Sequence, residues 1–431
     1  MSEILRVGIA GLGTVGAAVV RLLDAQAADL AARTGKKVVV TGVSARDPAR
    51  DRGIDLSGAT WFSAPTDLAR SDKIDLFVEL IGGDEGPARE SVEAALAAGK
   101  SVVTANKALL AKHGIALARL AEAHHGALAF EASVAGGIPI VKTLREGLAG
   151  NRIERVYGIL NGTCNYILSR MELEGLSFAE CLADAQKLGY AEADPTFDIG
   201  GFDTAHKLAI LASLAFGVKL DAEAISVEGI QDISLADLQA ASELGYRVKL
   251  LGVAQRTPHG VEQRVHPTMV PLSSAIAQVM GVTNAVTVDA DAVNELTLVG
   301  PGAGGMATAS AVVADIADIA RGIRSAPFGL PVDHLASPEK SPMQRHEGGY
   351  YIRLAVRNEI GAAAAIATRM AEHGISLESI VQRRACADAS VAPVVLVTYA
   401  TTEASVREAL AAIVADGHVA DKPQVIRIER E

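Results

Sequence analysis

The sequence predicts an α/β protein of three units, and three observations carry that expectation. The chain opens with an apolar run from Leu5 to Ala10, a glycine turn and a helical stretch. Its middle holds strand-like pieces, VEGIQDI, RVKLLGVAQR and VEQRVHPTMVP, beyond a helix that is apolar nearly all round. Its last part alternates as βαββαβ, a compact ferredoxin-like arrangement. At 431 residues the chain is long enough for each unit to bury its own core. The divisions fall at 1–135 for a nucleotide-binding unit, completed by a returning helix over about 301–322, at 136–300 for an α+β unit, and at 350–431 for the tail. Between them SPEKSPMQRHEGG, residues 337–349, is polar and punctuated by Pro and Gly, so it reads as a linker at which the tail can be separated.

In the first unit Gly11, Gly13 and Gly16 follow the strand and precede the helical AAVVRLLDAQAADLAAR. This is the order of a Rossmann-type dinucleotide site. Gly11 permits the tight turn, Gly13 lets the backbone approach a pyrophosphate, and Gly16 lets helix and strand pack closely. The free N–H groups at the helix start, around Thr14 and Val15, face the phosphates. A bare GxGxxG is a weak signal, but this context favours a dinucleotide site over a mere glycine turn. The second strand, KVVVTGVSARD, should end near Ser44, where a binder of NAD carries an acidic residue for the ribose diol. Arg46 stands in that region and Asp47 just beyond, so the expectation is NADP, with NAD possible.

DLFVELIGG and SVVTANKALL give two further strand ends, which place Gly82, Gly83, Thr104, Asn106 and Lys107 where a nicotinamide or a substrate would lie. Lys107 is thus a candidate site residue; the plainer alternative is a lysine on an exposed first turn. Glu131 lies inside the apolar run of ALAFEASVAGGIPIVKTL and needs a partner. In GPGAGGMATASAVVADIADIARG the glycines either close over a cofactor or simply start a helix.

The segment GYAEADPTFDIGGFDTAHKLAILAS sets carboxylates against an apolar helix expected from Phe202 to Phe216. Asp203 and Lys207 stand four apart on one face, acid towards the N-terminus, the favourable order for an ion pair. Glu192, Asp194 and Asp198 precede them on a loop punctuated by Pro195 and Gly200. A buried helix whose polar end meets an acidic loop suggests a cavity that holds a cationic group beside a lysine. The alternative is a solvated helix start with an ordinary surface pair.

A formal charge of -11 argues against nucleic-acid binding. Cys164, Cys181 and Cys386 are too scattered for a metal pattern or a disulfide framework, which fits a reducing compartment. The opening residues lack the pattern of a signal peptide, and the stretch Leu208–Val218 is too short to span a bilayer. A soluble cytoplasmic protein with no membrane partner is expected.

Taken in order, GLGTVG, TANKALLA, EASVAGGIPI, NGTCNYIL, GYAEADPTFDIGGFDTAHKLAILA and GPGAGGMATASAVVADI resemble homoserine dehydrogenase over residues 1–330, and the tail resembles an ACT domain. The resemblance implies reversible reduction of L-aspartate 4-semialdehyde to L-homoserine with NAD(P)H, a step towards threonine, methionine and isoleucine. It implies that Lys207 is catalytic with Asp203 as its partner, that Lys107 is a second active-site lysine beside the nicotinamide, and that Glu192 and Asp198 bind substrate. It also implies a monovalent cation site, usually sodium, at Glu131, Val134, Gly136 and Ile138, and a late cofactor contact at Gly302. The middle unit would also dimerise. A homodimer or homotetramer is expected, with L-threonine as a possible effector near Asn358–Gly361 and Gly374–Ser376.

The chemistry of the residues agrees. Hydride delivery to an aldehyde carbon builds negative charge on its oxygen, which an ammonium such as Lys207 or Lys107 can neutralise by giving a proton. The α-ammonium of the substrate needs buried carboxylates, which Glu192 and Asp198 supply. One position departs from the family: Cys164 replaces a common threonine. As a nucleophile it would make the protein an acylating dehydrogenase, but no neighbouring histidine activates it, and a small buried residue is the better reading. A rival of another class, an amino-acid sensor that has lost catalysis, would lack the lysine or the acidic cradle, and both are present.

Overall fold

A computed structural model describes residues 3–258, 260–337, 347–382 and 390–429. Most of the expected linker lies outside the described residues, as do Arg384, where a tail strand was expected to end, and Cys386.

The first sheet contains β1 (Glu3–Ala10), β2 (Lys36–Ser44), β3 (Thr60–Trp61), β4 (Leu76–Glu79), β5 (Ser101–Thr104) and β6 (Leu128–Ala129), all parallel and in the order β3-β2-β1-β4-β5-β6. The order reverses between β1 and β4, which makes the carboxyl ends of those strands the expected ligand crevice. The glycine turn sits there. Gly11 has φ +98° and its N–H donates to the Ser44 carbonyl at 2.8 Å, while a Cβ would lie 2.3 Å from the Leu80 carbonyl oxygen. Only glycine fits that approach. The expected single helix after the turn is two, Thr14–Ala25 and Ala27–Thr34, because the chain turns at Gln26. The first packs Val19, Val20 and Leu23 into a core with Val312 and Ile316 of the returning helix Gly305–Arg321; the second buries no residue.

The second sheet takes in β7 (Ile153–Ile159), β8 (Ser226–Val227), β9 (Tyr246–Thr257), β10 (Gly260–Pro271), β11 (Thr283–Ala290) and β12 (Asn294–Pro301). It continues into the tail through β13 (Glu347–Arg357), β14 (Leu377–Gln382), β15 (Val391–Thr398), β16 (Thr401–Thr402) and β17 (Gln424–Ile428). The path runs β12-β11-β7-β9-β10-β17-β13-β15-β14, with β8 beside β10 and β16 beside β13. VEGIQDI forms a strand only at its start. Beyond Glu228, whose N–H still donates to the Val265 carbonyl of β10 at 2.7 Å, the backbone leaves the sheet, and the Ile230 N–H donates to the Ile199 carbonyl at 2.9 Å. The helix Phe202–Phe216 lies as expected and is buried through Leu208, Ile210, Leu211 and Phe216.

The tail has the expected βαββαβ order, with helices Ala362–Glu372 and Glu403–Ala415 packing Ile366, Met370, Val406 and Ile413 against Ile352, Leu354 and Leu396. It is nevertheless not an appended bead. β17 pairs in parallel with β10 through Thr268 opposite Arg427 and Met269 opposite Ile428. Tyr351, Ile426 and Ile428 share one hydrophobic core with Leu208 and Val248. Asp237, wholly buried, accepts hydrogen bonds from Arg353 at 2.6 and 3.1 Å and from the Tyr351 hydroxyl at 3.1 Å. Sheet and core thus run across the division expected at the linker.

Ending the chain after Ser337 should consequently uncover this core and strip Asp237 of its tail partners. The shortened protein is expected to melt about 3 °C or more below the full chain, a few kcal/mol in a chain of this size, and to aggregate. Thermal unfolding with light scattering checks this; equal melting temperatures would show that the tail is detachable.

Candidate active site

Helix Lys107–Ala123 starts at the end of β5, and its cap explains where Lys107 stands. The Asn106 side-chain oxygen accepts from the Leu109 N–H at 3.0 Å, and its Nδ2 donates to the Gly83 carbonyl at 2.6 Å. This cap fixes Lys107 at the first helical position, facing the start of helix Phe202–Phe216. There Lys107 Nζ lies 3.1 Å from Asp203 Oδ1, and Lys207 Nζ donates to Asp203 Oδ2 at 2.7 Å. One carboxylate thus bridges two lysines that are a hundred positions apart. Lys207 Nζ also donates to the Leu160 carbonyl at 2.7 Å.

Asn161 completes the cluster. Its Oδ1 caps helix Gly162–Glu174 by accepting from the Cys164 N–H at 2.8 Å, while its Nδ2 donates to Asp198 Oδ1 at 2.8 Å and Asp203 Oδ2 at 2.9 Å. Burial pushes the Asp203 carboxyl up, but Lys207 and Lys107 outweigh it and hold the group well below the usual carboxylate range. Asp198 is raised, by burial first and by the charge of Asp203, against the hydrogen bond from Asn161. Two adjacent carboxylates are therefore pushed apart: Asp203 stays ionised and Asp198 takes up a proton more readily.

These side chains line one cavity of about 810 Å³. Lys107, Lys207, Asp203, Asp198 and Glu192 border it on one side, and the loop Gly300–Gly304 borders it on another. Gly302 thus shares the cavity with the lysines. Glu192 is exposed on its loop, which is held by hydrogen bonds from Gln186 Nε2 to the Glu192 carbonyl at 3.0 Å and from Thr163 Oγ1 to the Tyr190 carbonyl at 2.7 Å.

Gly11, Gly13, Thr14, Val15 and Gly16 lie outside this cavity lining, at the switch point, but the two glycine loops meet: a Cβ at Gly305 would stand 3.0 Å from Thr14 Cγ2. Arg46 is exposed just past the end of β2. Neighbouring Arg52 ties this region to the glycine turn by donating to the carbonyls of Leu12 at 3.0 Å and Asp47 at 2.6 Å. Thr104 points inward. Its hydroxyl donates to buried Glu79 at 2.6 Å, whose other oxygen accepts from the N–H groups of Ile81 and Gly82, and the same hydroxyl accepts from the Asn106 N–H at 3.0 Å, so the Thr104 side chain is engaged within the protein.

Glu131 is buried, and its partners are now defined: its carboxylate accepts from the N–H groups of Val141 at 2.9 Å and Lys142 at 2.8 Å. Burial and then Asp315 push it up to about 7. Val134, Gly136 and Ile138 form a buried or nearly buried loop behind Gly302, with a hypothetical Cβ of Gly136 only 2.5 Å from the Gly302 carbonyl oxygen. Among the described residues no N–H donates to the carbonyls of Val134 or Gly136. Carbonyl oxygens without donors are the ligands that a hard cation takes.

Cys164 is fully buried and its thiol donates to the Asp198 carbonyl at 3.3 Å. Burial raises the thiol well above its usual range, and Asp198 and Asp203 add to the shift. A thiolate nucleophile is disfavoured there. Sequence reasoning missed Asn161, Leu160 and Glu79. Asn161 had a visible signal, an Asn opening a helix, but its two carboxylate partners come from another segment.

Family models match the chain as homoserine dehydrogenase NAD-binding domain over residues 11–131, homoserine dehydrogenase over 139–317 and ACT domain over 350–417. A homoserine dehydrogenase of Pseudomonas aeruginosa is 45% identical over 99% of both chains, and one of Neisseria gonorrhoeae is 43% identical over 99% of this chain and 98% of its own. The crystal structure of a homoserine dehydrogenase from Thiobacillus denitrificans superposes with a TM-score of 0.94 at 43% identity, covering 100% of this chain and 99% of the other. A hyperthermophilic archaeal homoserine dehydrogenase solved with NADPH gives a TM-score of 0.63 at 28% identity, over 74% of this chain and 99% of its own. With a dinucleotide fold, a two-lysine carboxylate bridge beside it and relatives matched end to end, the chain belongs to the homoserine dehydrogenase family, oxidoreductases acting on a CH–OH group.

Proposed function

We propose that this chain interconverts L-homoserine and L-aspartate 4-semialdehyde, with NADP(H) preferred over NAD(H), and that Lys207 carries the proton. The observation that carries this reading is the Asp203 bridge between Lys207 and Lys107 inside the cavity. Bound cofactor supplies a hydride to the aldehyde carbon or takes one from the alcohol. An ammonium has three N–H donors, and Lys207 spends two on Leu160 and Asp203, which leaves the third for a substrate oxygen. In reduction that proton completes the alcohol; in oxidation neutral Lys207 takes it back. Asp203 and the Leu160 carbonyl hold the amine in place, and Lys107 adds a second positive charge beside the developing oxyanion. Asp198 and Glu192 face the α-ammonium.

The NADP preference is supported by Arg46 beyond β2, where no carboxylate takes the place of Ser44, and by NADPH in the archaeal relative. A cation, sodium by family resemblance, would be held by the carbonyls of Val134 and Gly136 with Ile138 and Glu131 alongside. Replacing sodium by tetramethylammonium, with cofactor KM as the readout, tests it, since Gly136 abuts Gly302. A homodimer or homotetramer is supported by apolar edge strands, with Ile380 and Val381 exposed on β14 and Val299 on β12. Gel filtration with and without L-threonine tests the assembly and the effector, whose proposed place is the exposed turn ahead of helix Ala362–Glu372. A cytoplasmic location in the synthesis of threonine, methionine and isoleucine follows from the same reading, and a homoserine dehydrogenase null strain complemented by this gene would test the pathway.

Reduced-nicotinamide absorbance during homoserine oxidation at alkaline pH is the direct test. Wild type is expected to turn over, and Lys207→Ala to lose about a hundredfold or more in kcat; a variant within threefold of wild type would remove Lys207 from its role. In the same assay Arg46→Ala should raise the KM for NADP about tenfold, one charged contact's worth, and leave that for NAD unchanged. An equal effect on both would mean that Arg46 does not read the 2'-phosphate.

Asp198 supplies a pH prediction. Its raised carboxyl binds a proton at higher pH than an ordinary aspartate, and the protonated form no longer balances an ammonium. The KM for homoserine should therefore rise as pH falls through that range, and this acid limb should vanish in Asp198→Asn. Persistence of the limb in the variant would assign it to another group.

A further inference from the structure

We propose that Glu228 and Arg427 are positioning residues for the Asp198 and Asp203 carboxylates, so that the last strand of the tail helps to set the substrate end of the cavity. The inference rests on the functional reading above and deepens it.

Arg427 of β17 has its side chain only 4% exposed, and it grips Glu228 through two parallel bonds, Nη1 to Oε2 at 2.9 Å and Nη2 to Oε1 at 3.0 Å. Such paired bonds fix orientation as well as distance. The same guanidinium donates to Glu403 at 3.1 and 2.8 Å, and the Tyr350 hydroxyl adds a bond to Glu403 at 3.1 Å. Glu403 opens the tail helix Glu403–Ala415, so that helix and β17 form one side of the clamp.

The other side runs straight to the site. Glu228 leaves the sheet with its N–H on the Val265 carbonyl at 2.7 Å. The next residue lies against the backbone between the two carboxylates: a Cβ at Gly229 would stand 2.3 Å from the Ile199 carbonyl oxygen and 2.8 Å from Gly200 Cα. Ile230 then donates to that Ile199 carbonyl at 2.9 Å. Asp198 precedes this stretch and Asp203 follows it, and both depend on one Asn161 Nδ2 at 2.8 and 2.9 Å. A few tenths of an ångström at Glu228 therefore moves the Asp198–Asp203 backbone relative to Asn161, within a range that weakens one bond or the other. Glu228 itself is 41% exposed, beside a cavity of about 700 Å³ at the junction, so it can be replaced without opening a core.

The test uses the full chain with Glu228→Ala and Glu228→Gln. Glu228→Ala is expected to raise the KM for homoserine about threefold to tenfold, with the KM for NADP within twofold of wild type. Glu228→Gln, which keeps one acceptor for Arg427, should fall between. Hydrogen exchange over residues 198–205 should quicken in Glu228→Ala while that over 11–16 does not change. A folded Glu228→Ala with wild-type homoserine KM and wild-type exchange overturns the proposal, as does an equal rise in both KM values. A wild type that does not oxidise homoserine would overturn the functional reading instead, and the exchange measurement would still decide whether Glu228 positions the carboxylates.

Discussion

The arrangement depends first on one carboxylate shared by two lysines. Asp203 lies almost fully buried at the start of helix Phe202–Phe216, where an ion alone would be costly. Lys207 from its own helix and Lys107 from the helix that follows β5 neutralise it, and Asn161 adds a third contact, to Oδ2. The bridge therefore holds the nucleotide-binding sheet against the middle sheet at the point where the cavity opens. Removing either lysine would leave a buried charge underpaired, so the electrostatics that bind the two units also arm the site.

Around this bridge the cavity is built from helix ends. Asn106 and Asn161 each cap a helix with the side-chain oxygen and use the amide nitrogen to reach a second segment. Each so fixes a helix start and a loop with one residue. Glu79 does the same at the nucleotide side, joining Thr104 to the N–H groups of Ile81 and Gly82 across two strand ends. Rigid element ends, rather than long loops, hold the polar groups in place.

The tail joins this frame through the sheet. β17 supplies Arg427 to Glu228, and β13 supplies Tyr351 and Arg353 to Asp237. A tail held only by a linker could not influence a site some strands away. Here the pairing of β17 with β10 and two ionic contacts, Arg427 with Glu228 and Arg353 with Asp237, join the tail to the middle sheet.

By itself the sequence determined the periodic and local features. The strand, glycine turn and helix at Leu5–Gly16, the apolar helix Phe202–Phe216 and the i,i+4 pair of Asp203 and Lys207 depend on spacing alone, and spacing is visible in a string. The motif order further carried the family resemblance. Tertiary structure alone decided which groups from distant segments meet: Lys107 with Asp203, Asn161 with two carboxylates, Gly136 with Gly302, Arg427 with Glu228. It also decided that VEGIQDI leaves the sheet after Glu228, where the Ile230 N–H takes the Ile199 carbonyl as its acceptor. Local propensity acts through neighbours in the chain, whereas a buried charge is stable only where folding brings its partners, and those partners leave no periodic trace in the sequence.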